Sequence, residues 1–426
     1  MKPARSLRQV ITALYGVQGV GYLLPLILVP VLARRLGPEA WGRLALAQGL
    51  IVYLAGVVEF GFQFSATREA SRHRHDQDAL TRLLSGVTGA KALLALTAAL
   101  GLGLVRSHAA FAHLGRDLLW ASWTAAVAQG FSLFWLYQGL EMVRRAAILE
   151  MVGRVLATVL CLFWVHQPSE IWRVPALQAC GSILAIGVEV HGLRHLVPWR
   201  RPSWSTLMTT VRDGCTLFVF RTALNLYAAC NVFVLNCFVP LRLVAFYAGP
   251  ERLAKAVVSC LQPISQALFP RSSYLAAKDP QAAARLGGQA LGAMGAIGLL
   301  AGAVLHWAAR AIIRLAFGPG FEPAAAVLRW IAALAPLVAV NMALALQFMV
   351  PQGRDRALTR ILLLAGAFNF MAAWWAAPRY GAAGMAVCVV VTEALILVAS
   401  LWELQTPLPA MTRQRRLAVA ASAEVR

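Results

Sequence analysis

The feature that most limits how this chain can fold is a series of long apolar runs that recurs from one end of the sequence to the other. About 20 mostly apolar residues in an α-helix cross the hydrocarbon core of a bilayer. Because no water is available there, the backbone of such a run has to bond with itself as a helix. We count twelve such runs, near residues 10–33, 44–64, 83–105, 118–137, 148–165, 174–193, 215–239, 244–269, 288–308, 324–350, 361–377 and 384–402. They predict an all-α membrane protein with about twelve transmembrane helices.

Basic residues indicate how these helices are oriented. The net charge of +21 is spread over short loops and forms no single patch, which argues against a nucleic-acid partner. With the N-terminus inside, Lys and Arg in the inside segments outnumber those in the outside segments by roughly two to one, as the positive-inside rule requires. We therefore expect both termini to lie in the cytoplasm.

Polar positions within the apolar runs recur at a fixed offset, which indicates an internal repeat. Adding 203 to a residue number takes one polar residue to another in the pairs Gln18 and Arg221, Tyr22 and Asn225, Gln48 and Glu251, Glu59 and Gln262, Gln63 and Gln266, and Arg68 and Arg271. Both halves are therefore predicted to be six-helix units of the same topology. We expect an N-terminal bundle over 1–193, a cytoplasmic connector over 194–213, a C-terminal bundle over 214–404 and a basic cytoplasmic tail over 405–426.

Charged residues are concentrated in the eighth run, although the apolar residues on both sides of them predict a membrane span. A charge at the bilayer centre costs about 2.5–3.5 kcal/mol, and an i,i+4 pair such as Glu251 with Lys255 returns only about 0.2–0.5 kcal/mol. At about 100° per residue, five polar side chains fall within one helical stripe about 80° wide. They are Glu251, Lys255, Ser259, Gln262 and Gln266. The stripe is either a polar seam between packed helices or the lining of a water-filled cavity, and we prefer the cavity.

Other ionisable residues in the runs have simpler explanations. Glu150 and Arg154 are spaced as a structural i,i+4 pair, and Lys91 is close enough to the inner surface for its stem to snorkel. Glu189 and Glu393 occupy similar places in the last helix of each half, which fits matched structural roles as well as function.

The remaining charged residues favour an anionic ligand. Arg221, Arg252 and Lys255 belong to helices that already carry a polar face, with Glu251 as the nearby acid. Arg or Lys against phosphate is the obvious pairing. Glu251 and Glu59 are alternatively candidates for titration, which would couple transport to ions.

No sequence pattern supports a catalytic or cofactor site. Phosphate-cradling glycine loops and metal-ligand histidine spacings do not occur, and the seven cysteines show no CxxC spacing. We therefore predict that the protein is not an enzyme and uses no cofactor or metal.

Five stretches distributed from the first helix to the last carry a resemblance to a known family. They are YLLPLILVPVLARRLGPEAWGRLALAQGL, EFGFQFSATREAS, FWLYQGLEMVRRAAILE, YAGPERLAKAVVSCLQPISQALFPR and YGAAGMAVCVVVTE. In order and spacing they resemble the Wzx-type polysaccharide flippases of the multidrug/oligosaccharidyl-lipid/polysaccharide exporter superfamily. The resemblance implies two six-helix bundles around a central cavity that opens alternately to either side of the bacterial inner membrane.

The resemblance also implies a cargo, an undecaprenyl-diphosphate-linked oligosaccharide moved from the cytoplasmic to the periplasmic leaflet for O-antigen, capsule or exopolysaccharide assembly. Its implied partners are this lipid-linked glycan, membrane lipids, and the polymerase and chain-length proteins of the same pathway. In the family, the first two helices of each half line the cavity. The candidate substrate-binding residues on these helices are Gln18, Tyr22, Gln48, Arg221, Asn225, Arg252, Lys255 and Gln262.

Two other functions remain as alternatives. An ion-coupled drug exporter of the same superfamily would favour carboxylates in the cavity, whereas cations dominate here. A membrane glycan polymerase or ligase would need a sizeable outer loop for catalysis, and the sequence leaves no room for one.

Overall fold

The computed structural model describes residues 7–106, 113–194 and 196–406, with the backbone alone at 7–20, 22–23, 105–106, 213, 216–217 and 219–229. Every regular element in this part of the chain is helical. The α-helices are α1 (Leu7–Glu59), α2 (Phe62–Arg72), α3 (Gln77–Arg106), α4 (Arg116–Gly130), α5 (Phe134–Gly139), α6 (Val143–Trp164), α7 (Arg173–Leu193), α8 (Trp204–Phe238), α9 (Leu241–Ser259), α10 (Gln262–Lys278), α11 (Pro280–Trp307), α12 (Ala309–Phe317), α13 (Ala324–Ile331), α14 (Leu334–Ala343) and α15 (Asp355–Gln405). A 3₁₀ turn, Pro168–Glu170, precedes α7, and a π-helical segment, Leu344–Met349, follows α14.

Seven helical stretches of the described residues are long and apolar enough to cross a membrane. They are Leu24–Arg72, Gln77–Leu104, Val143–Trp164, Pro168–Leu193, Pro280–Trp307, Ala324–Met349 and Asp355–Gln405. The prediction of an all-α fold with membrane-spanning character agrees with these stretches. The count of twelve spans in two bundles stays a prediction.

Two of the stretches are far longer than one crossing requires, and each bends at a glycine. At 1.5 Å per residue, a straight α15 would be about 77 Å long, against a hydrocarbon core of about 30 Å. It bends instead at Gly381 (φ 55°, ψ −136°), and α1 bends at Gly37 (φ 73°, ψ 174°). Because positive φ strains residues with a Cβ, glycine suits both bends. The bend in α1 coincides with the sequence Gly37–Pro38, a dipeptide typical of turns.

Residues Ile27–Ala245 form one compact unit. Its core includes a cluster in which Phe62, Trp135 and Leu136 are buried between α2, α3 and α5. Helices α6 and α7 approach closely at Gly153 and Gly181, where a Cβ on Gly153 would lie 2.5 Å from the carbonyl oxygen of Gly181. Small residues therefore let these two helices pack backbone against backbone.

Residues Met1–Leu26 and Phe246–Arg426 form the other compact unit. Helix α11 begins sharply because Asp279 accepts hydrogen bonds from the amides of Gln281 and Ala282, and proline occupies its first position. It packs closely on α14, where a Cβ on Gly298 would lie 2.9 Å from the carbonyl oxygen of Ala335. The same kind of close glycine contact therefore builds both units.

The helix interruptions recur about 200 residues apart, which supports an internal repeat. Residues 60–61 separate α1 from α2, and residues 260–261 separate α9 from α10. Likewise, residues 131–133 separate α4 from α5, and residues 332–333 separate α13 from α14.

The predicted domain boundaries stay predictions. Within the predicted connector 194–213, helix α8 already begins at Trp204, with the Ser203 side chain accepting from the Thr206 amide as its cap. Most of the predicted tail, from residue 407 onward, lies outside the described residues.

Candidate functional site

The polar stripe predicted along the eighth run is divided between two helices. Helix α9 ends at Ser259 and α10 begins at Gln262. Between them, the amides of Cys260 and Leu261 bond to carbonyls three residues back, at 3.2 and 2.9 Å. This is the tighter 3₁₀ pattern of about 120° per residue, so the second part of the stripe is turned by about 40° from its expected place. The expectation of one continuous helix is therefore wrong, although the stripe still faces the same general side.

Glu251 is the buried centre of the first part of the stripe. The residue is 5% exposed, and its Oε1 accepts a hydrogen bond from the Tyr247 hydroxyl at 3.1 Å. The same oxygen pairs with Lys255 Nζ at 2.9 Å. Spacings of four residues bring these side chains onto one helix face. The i,i+4 pairing of Glu251 with Lys255 is confirmed.

Cationic and amide side chains are accessible on the same helix pair. The Lys255 side chain is 51% exposed even though its ammonium contacts Glu251. Arg252 is half-buried beside it, and Gln262 and Gln266 are exposed at the start of α10. Lys255 therefore places a charged hydrogen-bond donor at an accessible position on α9.

A buried polar network holds α10 in place. Gln347, in the π-helical segment, donates to the Ser265 carbonyl at 2.9 Å and accepts from the Ser272 hydroxyl at 2.5 Å. All three residues are buried. A π-helical turn inserts an extra residue into a helix, and here it supplies the side chain that bonds two turns of α10.

Helix α9 makes a close contact with α12 near the candidate site. A Cβ on Gly249 would lie 2.7 Å from the ring of Phe317. Only glycine therefore lets α9 approach α12 this closely, two residues before Glu251.

In the unit Ile27–Ala245, the Gln48 side chain forms a hydrogen bond with another glutamine. Its Nε2 donates to Oε1 of Gln178 on α7 at 3.0 Å. The Gln48 Nε2 therefore links α1 to α7. The Gln48 Oε1 is the atom that we consider as a hydrogen-bond acceptor for a ligand.

Glu59 and Gln63 flank the interruption between α1 and α2. Phe60 (φ 46°) and Gly61 (φ 76°) both have positive φ there, and the Phe60 ring stacks on Phe218 with ring centroids 4.3 Å apart. A phenylalanine in this conformation is strained, so the stacking helps to hold it. The break places Glu59 at the end of one helix and Gln63 near the start of the next.

Four predicted substrate-binding side chains lie outside the described residues. They are Gln18 and Tyr22 on α1, and Arg221 and Asn225 on α8, where the structure describes the backbone only. Their assignment stays a prediction.

Sequence reasoning missed two polar partners of the candidate residues. Tyr247 lies one turn before Glu251, so the helical spacing could have revealed it. Gln178 is 130 residues from Gln48, and no local spacing could have paired them.

A second group of charges lies at the break between α4 and α5. The Ser132 hydroxyl donates to Glu150 at 2.7 Å, and the Ser132 carbonyl accepts from Lys91 Nζ at 3.2 Å. Lys91 is only 2% exposed, so the prediction that it snorkels is wrong. The physical reason is the helix break, which presents the Ser132 carbonyl to the ammonium. Arg154 contacts Glu150 at 3.4 Å, so the predicted pair is confirmed.

Glu189 and Glu393 each accept a hydrogen bond from a segment earlier in the chain. Glu189 is fully buried, and its Oε2 accepts from the Leu133 amide at 3.1 Å, where α5 begins. Its Oε1 has no hydrogen-bond partner among the described residues. Glu393 accepts from the Asn341 side chain on α14 at 2.8 Å. These contacts are in keeping with matched structural roles.

His113 lies between α3 and α4, outside the candidate spans. Burial lowers the pKa of its imidazole, and the neighbouring Arg43 lowers it further, while a hydrogen bond with Asn236 opposes the shift. The neutral imidazole is therefore favoured in the folded protein.

Within the described part of the chain, no group of three or more His, Cys, Asp or Glu side chains is arranged to hold a metal ion. The side chains that α9 and α10 present at the candidate site can form hydrogen bonds and charge pairs.

Comparisons of the sequence place the chain beside proteins of polysaccharide assembly. A family model described as polysaccharide biosynthesis protein matches residues 7–276. A putative O-antigen transporter of Escherichia coli (strain K12) is 25% identical over 395 residues, which cover 92% of this chain and 95% of that protein. A putative O-antigen transporter of Shigella dysenteriae is also 25% identical, over 398 residues covering 91% and 97% of the two chains.

Comparisons of the structure show the fold. The lipid II flippase MurJ in an inward closed conformation matches with a TM-score of 0.77 at 10% identity, covering 96% of this chain and 91% of that one. An inward-facing multidrug resistance MATE family transporter of the MOP superfamily matches with a TM-score of 0.69 at 15% identity, covering 93% and 95%. At such low identity the likeness establishes a shared helical architecture.

Proposed function

Because the chain belongs to the polysaccharide biosynthesis protein family, whose model matches 7–276, we propose that it is a flippase that moves a lipid-linked oligosaccharide across the membrane. Its relatives are named putative O-antigen transporters, and MurJ, a lipid II flippase, has the same fold. In this proposal the cargo is an undecaprenyl-diphosphate-linked glycan, moved by alternating access from the cytoplasmic to the periplasmic leaflet.

The observation that carries the proposal is the accessible cation on α9. Lys255 is about half exposed on a helix of a chain with membrane-spanning character, and half-buried Arg252 lies next to it on the same helix. Helix α9 is not among the seven candidate spans of the described residues, so the placement of Lys255 within the membrane is part of this proposal. A cation placed there is costly unless it serves a polar ligand or pathway. A diphosphate offers several oxyanions to such donors, and charge-assisted hydrogen bonds to phosphate are strong.

We assign the other candidate residues by the chemistry of their side chains. Arg221 joins Arg252 and Lys255 in attracting the diphosphate, while Gln48, Asn225 and Gln262 bond sugar hydroxyls. Gln18 and Tyr22 complete the proposed substrate contacts.

The proposal includes the arrangement of the protein in its membrane. Twelve crossing helices in two bundles, with both termini in the cytoplasm of a bacterium, would follow the charge bias of the loops. The polymerase and chain-length proteins of the same pathway are the proposed protein partners. Glu251 and Glu59 remain the proposed groups for ion coupling.

Export of surface polysaccharide tests the assignment of the cations. In the native host, replacing both Arg252 and Lys255 with alanine should abolish export, because the diphosphate would lose two charged contacts at membrane depth. Polysaccharide on the cell surface is measured by gel electrophoresis, and protein in the membrane by immunoblotting. Arg154→Ala is the matched control, since it removes a paired cation that lies outside the candidate site.

Unchanged export by the double variant, at equal protein level, would remove the assigned role of these cations. A deletion strain that keeps its polysaccharide but loses tolerance to toxic cations would favour the drug exporter instead.

A further inference from the structure

The accessible cation of the candidate site already has an anion beside it. Glu251 is almost completely buried, and one of its oxygens takes both the Tyr247 hydroxyl at 3.1 Å and the Lys255 ammonium at 2.9 Å. Tyr247 itself is fully buried. The carboxylate is therefore held by a buried hydroxyl and pairs with Lys255 through the same oxygen.

The two members of this ion pair differ sharply in exposure. The Glu251 side chain is 7% exposed, whereas the Lys255 side chain is 51% exposed. The carboxylate is held within the protein, and the ammonium, on a flexible four-carbon stem, is the member that can turn toward a ligand. An incoming phosphate and the Glu251 carboxylate would therefore bind the same ammonium as rival anions.

We propose that Glu251 is a resident counter-anion, which the substrate's phosphate displaces from Lys255 on binding and which recaptures Lys255 when the phosphate leaves. This inference rests on the proposed function, since it concerns the same site. The Tyr247 hydroxyl keeps the carboxylate hydrogen-bonded after Lys255 has turned away, so the buried acid is not left without a donor. Glu251 thereby weakens the binding of the substrate's phosphate and favours release of the substrate.

The inference predicts that neutralising Glu251 tightens the binding of an isoprenyl diphosphate. Glu251→Gln keeps the size of the side chain and an oxygen for the Tyr247 hydroxyl, but it removes the rival charge. We expect about five- to tenfold tighter binding, as befits a charge pair that is partly exposed to solvent. Full-length protein in detergent is titrated with farnesyl diphosphate in a calorimeter, with farnesol as the uncharged reference.

Glu150→Gln is the matched control. Glu150 also pairs with a cation four residues on, Arg154, at 3.4 Å, but it belongs to the other compact unit. We expect this variant to bind farnesyl diphosphate within about twofold of the wild type, because it removes the same charge away from the site.

A double variant separates competition from a general structural effect. If Glu251 acts through Lys255, then Glu251→Gln should change binding little when Lys255 is already glutamine. A gain in affinity that persists without Lys255 would overturn the inference, as would equal or weaker binding by Glu251→Gln alone.

The wild type distinguishes this inference from the proposed function. If wild-type protein binds farnesyl diphosphate no better than farnesol, the diphosphate site itself fails. If it binds the diphosphate and Glu251→Gln changes nothing, only the counter-anion role fails.

Discussion

The breaks at α9–α10 and α4–α5 both gather charged side chains within apolar helices, but they use them differently. At α9–α10, Lys255 is half exposed although it pairs with Glu251. At α4–α5, Lys91 is 2% exposed and donates to the Ser132 carbonyl, within electrostatic reach of Glu189. The first break therefore presents a cation to its surroundings, whereas the second encloses one. Charge in an apolar run does not by itself mark a binding site; the exposure of that charge separates the two cases.

We expect the largest change in stability when each of the two lysines is replaced in turn by an uncharged residue. Lys91→Met should lower the free energy of unfolding by about 3–5 kcal/mol, because it removes both the buried donor to the Ser132 carbonyl and the cation within electrostatic reach of buried Glu189. Lys255→Met should change it by only about 1–2 kcal/mol, because the ammonium is half exposed and the buried Glu251 carboxylate keeps its hydrogen bond from Tyr247. Chemical unfolding of the purified protein in detergent measures both.

Equal loss of stability in these two variants would show that both breaks are structural. Farnesyl diphosphate binding supplies the complementary readout. It should be weakened in Lys255→Met and unchanged in the folded fraction of Lys91→Met.

A smaller effect is expected at the buried carboxyl of the α4–α5 break. Glu189→Leu should cost about 1–3 kcal/mol of stability, because the Leu133 amide would be buried without an acceptor. Glu189→Gln is the control, since its amide oxygen can still accept that bond. Thermal unfolding compares the two, and a leucine variant as stable as the glutamine variant would contradict the assigned contact.

The smallest effect concerns pH and a group outside both breaks. The pKa of His113 is lowered in the folded protein, so its contribution to stability is present above the ordinary value of about 6.5 and is lost as the pH falls through the folded-state value. Between about pH 7 and 5, wild-type protein should lose more stability than His113→Gln, because the wild-type imidazole takes up a proton at a site that disfavours its charge. If the stability of the two proteins falls with pH in parallel, groups other than His113 cause the loss of stability in acid.

Local spacing made part of the candidate site predictable. The Glu251–Lys255 pair follows from four-residue spacing on a helix, and the Glu150–Arg154 pair follows in the same way. The bend at Gly37 was also predictable, because a Gly–Pro sequence is unsuited to a helix interior.

Contacts between distant segments were not predictable. Gln48 meets Gln178 across 130 residues, and Lys91 finds its acceptor on a loop 41 residues away. The interruption at Cys260 and Leu261 was missed for another reason. Pro263, in the first turn of α10, is a local signal for a helix start that was not used.

The sequence by itself determined that this chain forms apolar helices and which positions along them carry charged residues. Helix formation and bilayer partitioning depend on nearby residues. Only the tertiary structure decided which charges are enclosed and which are accessible. The burial of a side chain depends on the residues that pack against it. These residues enclose Lys91, which we interpret as a structural cation, and leave Lys255 accessible, which we propose to bind substrate.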